Sequence, residues 1–440
     1  MYSRKASHLQ NALVLLLLVV FTSPAFASKS HRRQALERSI NEPSTVTARL
    51  TPRDRLEIFS DTWATINEKY YDPSFNGVNW RAVREHYRPA AEAARTDDDF
   101  YTVMKKMVGE LRDAHTRFAT PRERMEREQL KAITAGVSIS EVEGKPVVVS
   151  VEANSEAARM GVELGMIVLA IDGKPVDEKL AEAQSRVAGT STERAVKLRI
   201  YRQLVEGDPG TPLRLTLARA DGSPLDVSLT RRIVSDVAQV TSRRLPSGIG
   251  YIRLTLWKSP AHKEFKRALE NLKDAHGIIV DLRGNPGGEA QEVTKIASYF
   301  TNTRMSFGQF VSRNGKAFTL YTDRDDQVYK GPVMILVNEG SGSGSELFSA
   351  AMQENGRASV VGRQSCGCVL GISRFKKMKG GSELAVSELK YISPQGHKIE
   401  GTGVTPNRAV PLTLADLQHH RDAALEAAEN ALQKTSANVR

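Results

Sequence analysis

Cysteine is nearly absent: Cys366 and Cys368 are the two in 440 residues. No disulfide framework can hold this fold, so an apolar core has to. A separation of two residues also works against their bonding to each other, and Cys368 is expected to pack as a small apolar thiol. Beyond the N-terminus nothing approaches the roughly twenty apolar residues of a membrane-spanning helix. No stretch interleaves basic and aromatic residues in the manner of a nucleic-acid module, which leaves nucleic acid out as a partner. His, Cys, Asp and Glu nowhere cluster at ligand spacing, so neither a metal nor another cofactor is expected.

What is present reads as a soluble chain of several domains, 40% hydrophobic and 26% charged. Arg4 and Lys5, the apolar run Ala12–Phe21 and Ser23-Pro-Ala-Phe-Ala27 make the three parts of a secretory signal. Cleavage after Ala27 is expected, giving an exported protein, periplasmic or secreted, with no membrane span left. Losing Arg4 and Lys5 lowers the formal charge from +11 to +9, spread along the chain rather than set in a binding stripe. Residues 28–50 read as a polar linker.

From 51 to 125 the apolar residues Leu56, Phe59, Trp63 and Ile66, then Phe100, Val103, Met104, Met107, Val108 and Leu111, recur at helical spacing, giving two or three helices. His115 follows them in Asp113-Ala-His-Thr, where helix gives way to loop. Residues 126–232 change to short β-rich segments, Val147–Val151, Met166–Ile171, Val196–Ile200, Leu213–Leu217 and Leu225–Leu229, parted by turns such as Asp172-Gly173. Within them 190–210 reads as a loop-rich insertion. Residues 233–412 alternate strand and helix, with buried strands at Gly277–Leu282 and Val333–Val337, and 413–440 read as one C-terminal helix.

The chemistry concentrates in the last large region. Val333–Val337 runs into Asn338-Glu-Gly-Ser341-Gly-Ser343-Gly-Ser345 and then a helical pattern. A serine at such a strand-to-helix turn exposes its hydroxyl beside free N–H groups, which suits a nucleophile whose intermediate carries an oxyanion; a small-residue helix cap is the plainer alternative. Upstream, Arg283-Gly-Asn-Pro-Gly287-Gly288 lets backbone N–H groups approach one charge closely.

Ser155–Val176, with Gly161, Gly165 and Asp172-Gly173, closely resembles the PDZ family, which implies that Gly136, Val137, Ser138 and Ile139 receive a peptide C-terminus as an added strand. Asp281-Leu-Arg-Gly-Asn-Pro-Gly-Gly288, Val337–Glu346 and Glu400-Gly-Thr-Gly-Val-Thr-Pro406 together resemble the C-terminal processing peptidases, the tail-specific serine proteases, and their tricorn relatives. The resemblance covers nearly the whole mature chain. It implies an α/β multidomain fold: a helical N-terminal region, a PDZ-like β domain and a crotonase-like spiral α/β protease core. It places the nucleophile on Ser343, with Ser341 and Ser345 structural, and the oxyanion hole on the N–H groups of Gly344, Gly287 and Gly288.

One departure matters. The processing peptidases use a lysine base twenty-five positions after the nucleophile, which falls here on Cys368. A thiol is a poor base for serine. The tricorn-like branch uses a histidine and a glutamate instead, and His115 and Glu400 match those positions, although Ala114 stands where those relatives carry serine. Lys376, Lys377, Lys379 and His397 remain alternative bases, and a non-catalytic PDZ-containing scaffold is the alternative function. Proteins or peptides with free C-termini are the partners implied, and self-association is left open.

Overall fold

The computed structural model describes residues 49–440 apart from 130, 188, 236–238, 324–327 and 438–440; the expected signal peptide and nearly all of the polar linker lie outside the described residues. The N-terminal helices Pro52–Lys69, Trp80–Ala93, Asp97–Gly109 and Pro121–Glu128 start on side-chain caps. Thr51, Asn79, Thr96 and Thr120 accept the N–H three residues on, and the three threonines are matched by a returning Asp or Glu. Ile58, Phe59, Ile66, Phe100, Met104 and Met107 face inward and meet Leu384 and Val386 of the protease core. The helical layer is therefore packed on the core and not tethered beside it. A three-stranded sheet completes the join, with Arg117–Ala119 against Glu383–Ala385 and Phe375–Lys377 on the far side. His115 precedes the first of these strands.

The PDZ-like unit is closed at its neck by Lys131–Thr134 paired with Arg232–Ser235. Its sheet runs Val137–Val142, Lys145–Val151, Ile167–Ile171, Pro212–Ala218 and Pro224–Thr230, all antiparallel, with Val137–Val142 at one edge. Two expectations are corrected there. Val196–Ile200 is not a strand and 190–210 is not mainly loop, because Glu193–Gln203 is a helix, capped by Thr192 through the Ala195 N–H. Ala195 and Tyr201 set its buried face, and an apolar run this short fits either period until a partner surface chooses one. That surface is the edge strand Val137–Val142, against which the helix packs.

In the core the order is Val240–Arg244, Gly250–Leu254, Ile278–Asp281, Val333–Val337, Ser359–Gly362 and Arg408–Ala409, parallel from the second strand onward. Ile278, Val280, Ile335 and Val337 point to one face, under helices Ala261–Glu270, Ala290–Ser298 and Gly344–Glu354. Ile279, Leu336 and Val361 point to the other, under Ala428 and Leu432 of Ala423–Ala437. Burial on both faces explains why these strands read as unbroken apolar runs. The C-terminal region holds two helices rather than one: Leu414–Gln418, capped by Thr413, ends where His420 adopts φ 51°, and Ala423–Ala437 follows. Among the described residues no helix is long and apolar enough to cross a membrane.

Candidate active site

The three serines of the central turn do different things. Ser341 is fully buried, donates to the Leu282 carbonyl at 2.8 Å and accepts the Asn338 N–H. Ser345 is equally buried, donates to the Asn285 carbonyl at 2.9 Å and accepts the Trp257 indole N–H. Both hydroxyls are spent on holding the turn. Ser343, half-buried, begins the Gly344–Glu354 helix with φ 48° and ψ −111°, a conformation that costs energy for a non-glycine residue. Its backbone N–H goes to the Cys368 carbonyl at 2.9 Å and the Glu346 carboxylate at 3.1 Å, while its hydroxyl donates to no described residue. Such an S-x-x-E spacing at a helix start was readable in the sequence; what it holds was not.

Glu346 is a fully buried hub. Its Oε1 accepts from the Ser365 hydroxyl and the Gly367 N–H, both at 2.6 Å, and its Oε2 accepts from the Cys368 N–H at 2.9 Å. Burial raises its proton affinity, and these three donors together with the Ser343 N–H oppose the rise. The irregular segment Ser365–Cys368 is thereby fixed against the serine turn. Cys368 corrects an expectation, since it is disulfide-bonded to Cys366 across a Cα separation of 5.2 Å and is no free packed thiol. Gly367 between them turns with φ 73°, which brings the two sulfurs to one side.

The glycine loop meets Ser343 from below. A β-carbon on Gly287 would lie 2.6 Å from that of Ser343, so only glycine fits there. Its N–H, however, donates to Asn285 Oδ1 at 2.9 Å. Gly287 is therefore corrected from oxyanion donor to close-approach position. The N–H groups of Gly288 and Gly344 have no acceptor among the described residues, and a β-carbon on Gly344 would stand 3.3 Å from the Gly288 nitrogen. Those two donors open on the same space beside Ser343.

His115 arrives from the helical region on a turn built by Asp113, whose Oδ1 accepts the N–H groups of His115 at 2.8 Å and Thr116 at 2.6 Å and the Ser387 hydroxyl at 2.9 Å. The N–H of Ser387, from the core, donates to the Thr116 hydroxyl, which in turn donates to Ser387 Oγ. The half-buried imidazole has a buried Nδ1 with no partner, as has Asp113 Oδ2. Desolvation, with Arg117 and Arg199 adding to it against Asp113, pushes the His115 pKa down to about 4. The ring is thus a neutral base at ordinary pH.

Glu400 is buried, accepts the Val369 N–H at 2.6 Å, and has its pKa pushed up to about 7 by burial, with the Asp113 and Glu346 charges adding to the rise. Among the described residues no hydrogen bond or ion pair runs directly from His115 to Ser343 or Glu400. Ser191, which the sequence placed in a loop-rich insertion, lies beside both the His115 turn and the Glu400 loop: its hydroxyl accepts the Ala114 N–H at 2.9 Å, and its carbonyl stands 4.0 Å from where a β-carbon on Gly401 would sit.

Three of the other candidate bases are engaged elsewhere, and the fourth, Lys377, is exposed on its strand. Lys376 holds Asp61 and Thr65, Lys379 holds Asp54 and Glu57, and the exposed His397 pairs with Glu354. In the PDZ-like unit, Val137, Ser138 and Ile139 lie on the edge strand beside the Glu193–Gln203 helix, but the Gly136 N–H is taken by the Thr134 hydroxyl at 2.9 Å. That N–H is therefore not free for a peptide carboxylate, and Gly136 itself turns with φ 81°.

A strained serine at a helix start, two unclaimed N–H groups and a two-sided parallel sheet define a hydrolase of the serine peptidase kind. Residues 248–410 match the pattern of "Peptidase family S41", 134–229 that of "PDZ domain" and 51–109 that of "Tricorn protease C1 domain". The carboxyl-terminal-processing peptidase 2, chloroplastic, of Arabidopsis thaliana is 31% identical over 80% of this chain and 68% of its own. The carboxyl-terminal-processing protease of a Synechocystis strain is 29% identical over 84% and 85%. A solved photosystem II D1 C-terminal processing protease shares the fold, with TM-score 0.58 at 23% identity over 87% of this chain and 98% of its own. The chain belongs to the carboxyl-terminal-processing proteases of peptidase family S41, serine peptidases that here carry a PDZ domain.

Proposed function

We propose that the chain is an exported endopeptidase in which Ser343 attacks the scissile carbonyl, His115 is the general base and Glu400 balances the imidazolium. Ser343 Oγ–H gives its proton to the neutral His115 ring as the C–O bond forms, and the N–H groups of Gly288 and Gly344 receive the oxyanion. The imidazolium then protonates the leaving amine. Water, activated by the same ring, releases the acyl group and restores the serine. The observation that carries this reading is that Ser343 alone of the three serine-turn hydroxyls donates its proton to no described residue, beside two unclaimed N–H groups. Engagement of Lys376 and Lys379 with the first helix removes them as bases. Base and nucleophile come into hydrogen-bond contact in the Michaelis complex, where such bonds tighten.

Substrate tails are proposed to add as a strand along Val137–Ile139, opposite the Glu193–Gln203 helix, with the C-terminal carboxylate on loop N–H groups other than that of Gly136. Export rests on the signal pattern at Arg4–Ala27. Labelling with a fluorophosphonate and peptide mapping tests the core of the proposal. An adduct on Ser343 that His115→Ala suppresses is expected; an adduct elsewhere, or equal labelling of the His115 variant, refutes it.

A further inference from the structure

We infer that Ser191 is a positioning residue of the peptidase site, its hydroxyl joining the turn that carries His115 to the loop that carries Glu400. The inference rests on the His115 and Glu400 reading above. A hydroxyl has lone pairs to offer and one proton to give. Ser191 Oγ takes the Ala114 N–H at 2.9 Å, next to His115, which leaves its proton for the carboxylate of Glu400. Ser191 also lies against that loop by its backbone, its carbonyl 4.0 Å from where a β-carbon on Gly401 would sit.

The surroundings fix this hydroxyl in place. Thr192, the next residue, donates its hydroxyl to the Cys366 carbonyl at 2.7 Å and caps the Glu193–Gln203 helix. Arg199 of that helix donates to the Ala114 carbonyl at 3.3 Å, so both polar groups flanking Ala114 are held from the same segment. Thr192 also fills the space beside Gly367, where a β-carbon would come within 2.7 Å of its methyl. His115, Glu400 and the disulfide segment beside Ser343 come from three distant parts of the sequence, and the segment 191–199 touches all three. A hydrogen bond to a carboxylate from a donor already held by its neighbours costs little ordering entropy and directs the acceptor.

Charge makes the role measurable. Glu400 faces Asp113 and Glu346, which oppose its ionisation, and the phenols of Tyr70 and Tyr71; Arg199 acts on His115. The Ser191 hydrogen bond favours the ionised carboxylate against those charges. Removing it should move the acidic limb of the pH profile to higher pH, an effect that lost packing alone would not give.

The test compares Ser191→Ala and Ser191→Thr in the full chain, with Glu400→Gln and His115→Ala alongside, by kcat and KM across pH and by thermal melting. Expected are a kcat about tenfold lower for S191A with KM unchanged, an acidic limb moved upward, a melt lowered no further than the loss of one part-buried hydrogen bond explains, and recovery in S191T. Should S191A not fold, Ser191→Cys, close in size and a weak donor, takes its place with the same shift expected. If S191A keeps wild-type kcat and limb while E400Q is impaired, Ser191 positions nothing and the base reading stands. If S191A and S191T lose kcat equally with no shift of the limb, the role is packing and the inference is wrong. Wild-type rates in both H115A and E400Q would overturn the underlying reading and this inference with it.

Discussion

The turn that carries Ser343 and the turn that carries His115 are built in opposite ways. Around Ser343 nearly every polar group is spent locally: Ser341, Ser345, Asn285 and Glu346 are buried and bonded, and the one uncommitted hydroxyl stands out against them. Around His115 the turn is pinned from outside, by Ser387, Ser191 and Arg199, and two polar atoms, His115 Nδ1 and Asp113 Oδ2, are buried with no partner. Unsatisfied buried groups are costly and rare. Their presence on the base side fits a site in which the nucleophile is preset and the base becomes fully bonded only with substrate.

The sharpest break of this comparison lies within the serine turn. Ser343→Ala should abolish peptide hydrolysis and leave stability nearly unchanged, because its hydroxyl holds nothing. Ser341→Ala and Ser345→Ala should do the reverse, costing about 1–3 kcal/mol in urea denaturation by stranding buried partners while keeping part of the activity. Wild-type turnover in Ser343→Ala would remove the nucleophile.

On the base side His115→Ala should lower kcat on the order of a hundredfold or more. Replacing Cys366 and Cys368 together by serine should cost far less, because neither sulfur is a free thiolate. A dead double serine variant beside an active His115→Ala would reverse the assignment.

Protonation sharpens the contrast. With His115 pushed down to about 4 and Glu400 up to about 7, the acidic limb of kcat should lie near neutrality and belong to Glu400. Glu400→Gln should lower the rate and flatten that limb. Folding raises this carboxyl's pKa, so the folded chain binds the extra proton and stability falls as pH rises from the ordinary carboxyl range through about 7. At pH well above that range Glu400→Gln should therefore be more stable than wild type, by on the order of 1 kcal/mol, as a thermal melt would read. An unmoved limb in Glu400→Gln would give the titration to another group.

The smallest effect is expected in the PDZ domain. Amidating the C-terminus of a peptide substrate should raise KM severalfold and leave kcat alone if the domain only tethers tails; a fall in kcat as well would mean that docking helps assemble the site. Equal cleavage of amide and free acid at every concentration would rule out tail recognition.

How much of this was legible in the sequence follows from how local each feature is. The Val333–Val337 strand, the serine turn and the Gly287-Gly288 loop were readable because apolar runs and glycines state their own backbone preferences. The disulfide was not, since an unfavourable spacing says nothing of the turn at Gly367 that closes it. Nor was the Glu193–Gln203 helix, whose period was decided by the strand it packs on.

The sequence by itself determined the family, the order of domains and the candidate nucleophile, because those reside in contiguous motifs whose conformations are local. Only the tertiary structure decided which serine hydroxyl has no acceptor among the described residues, that the Gly287 and Gly136 N–H groups are already taken, and that Ser191 bonds the turn carrying His115. Hydrogen-bond partners and desolvation belong to pairs of segments far apart in the chain, and no single segment encodes them.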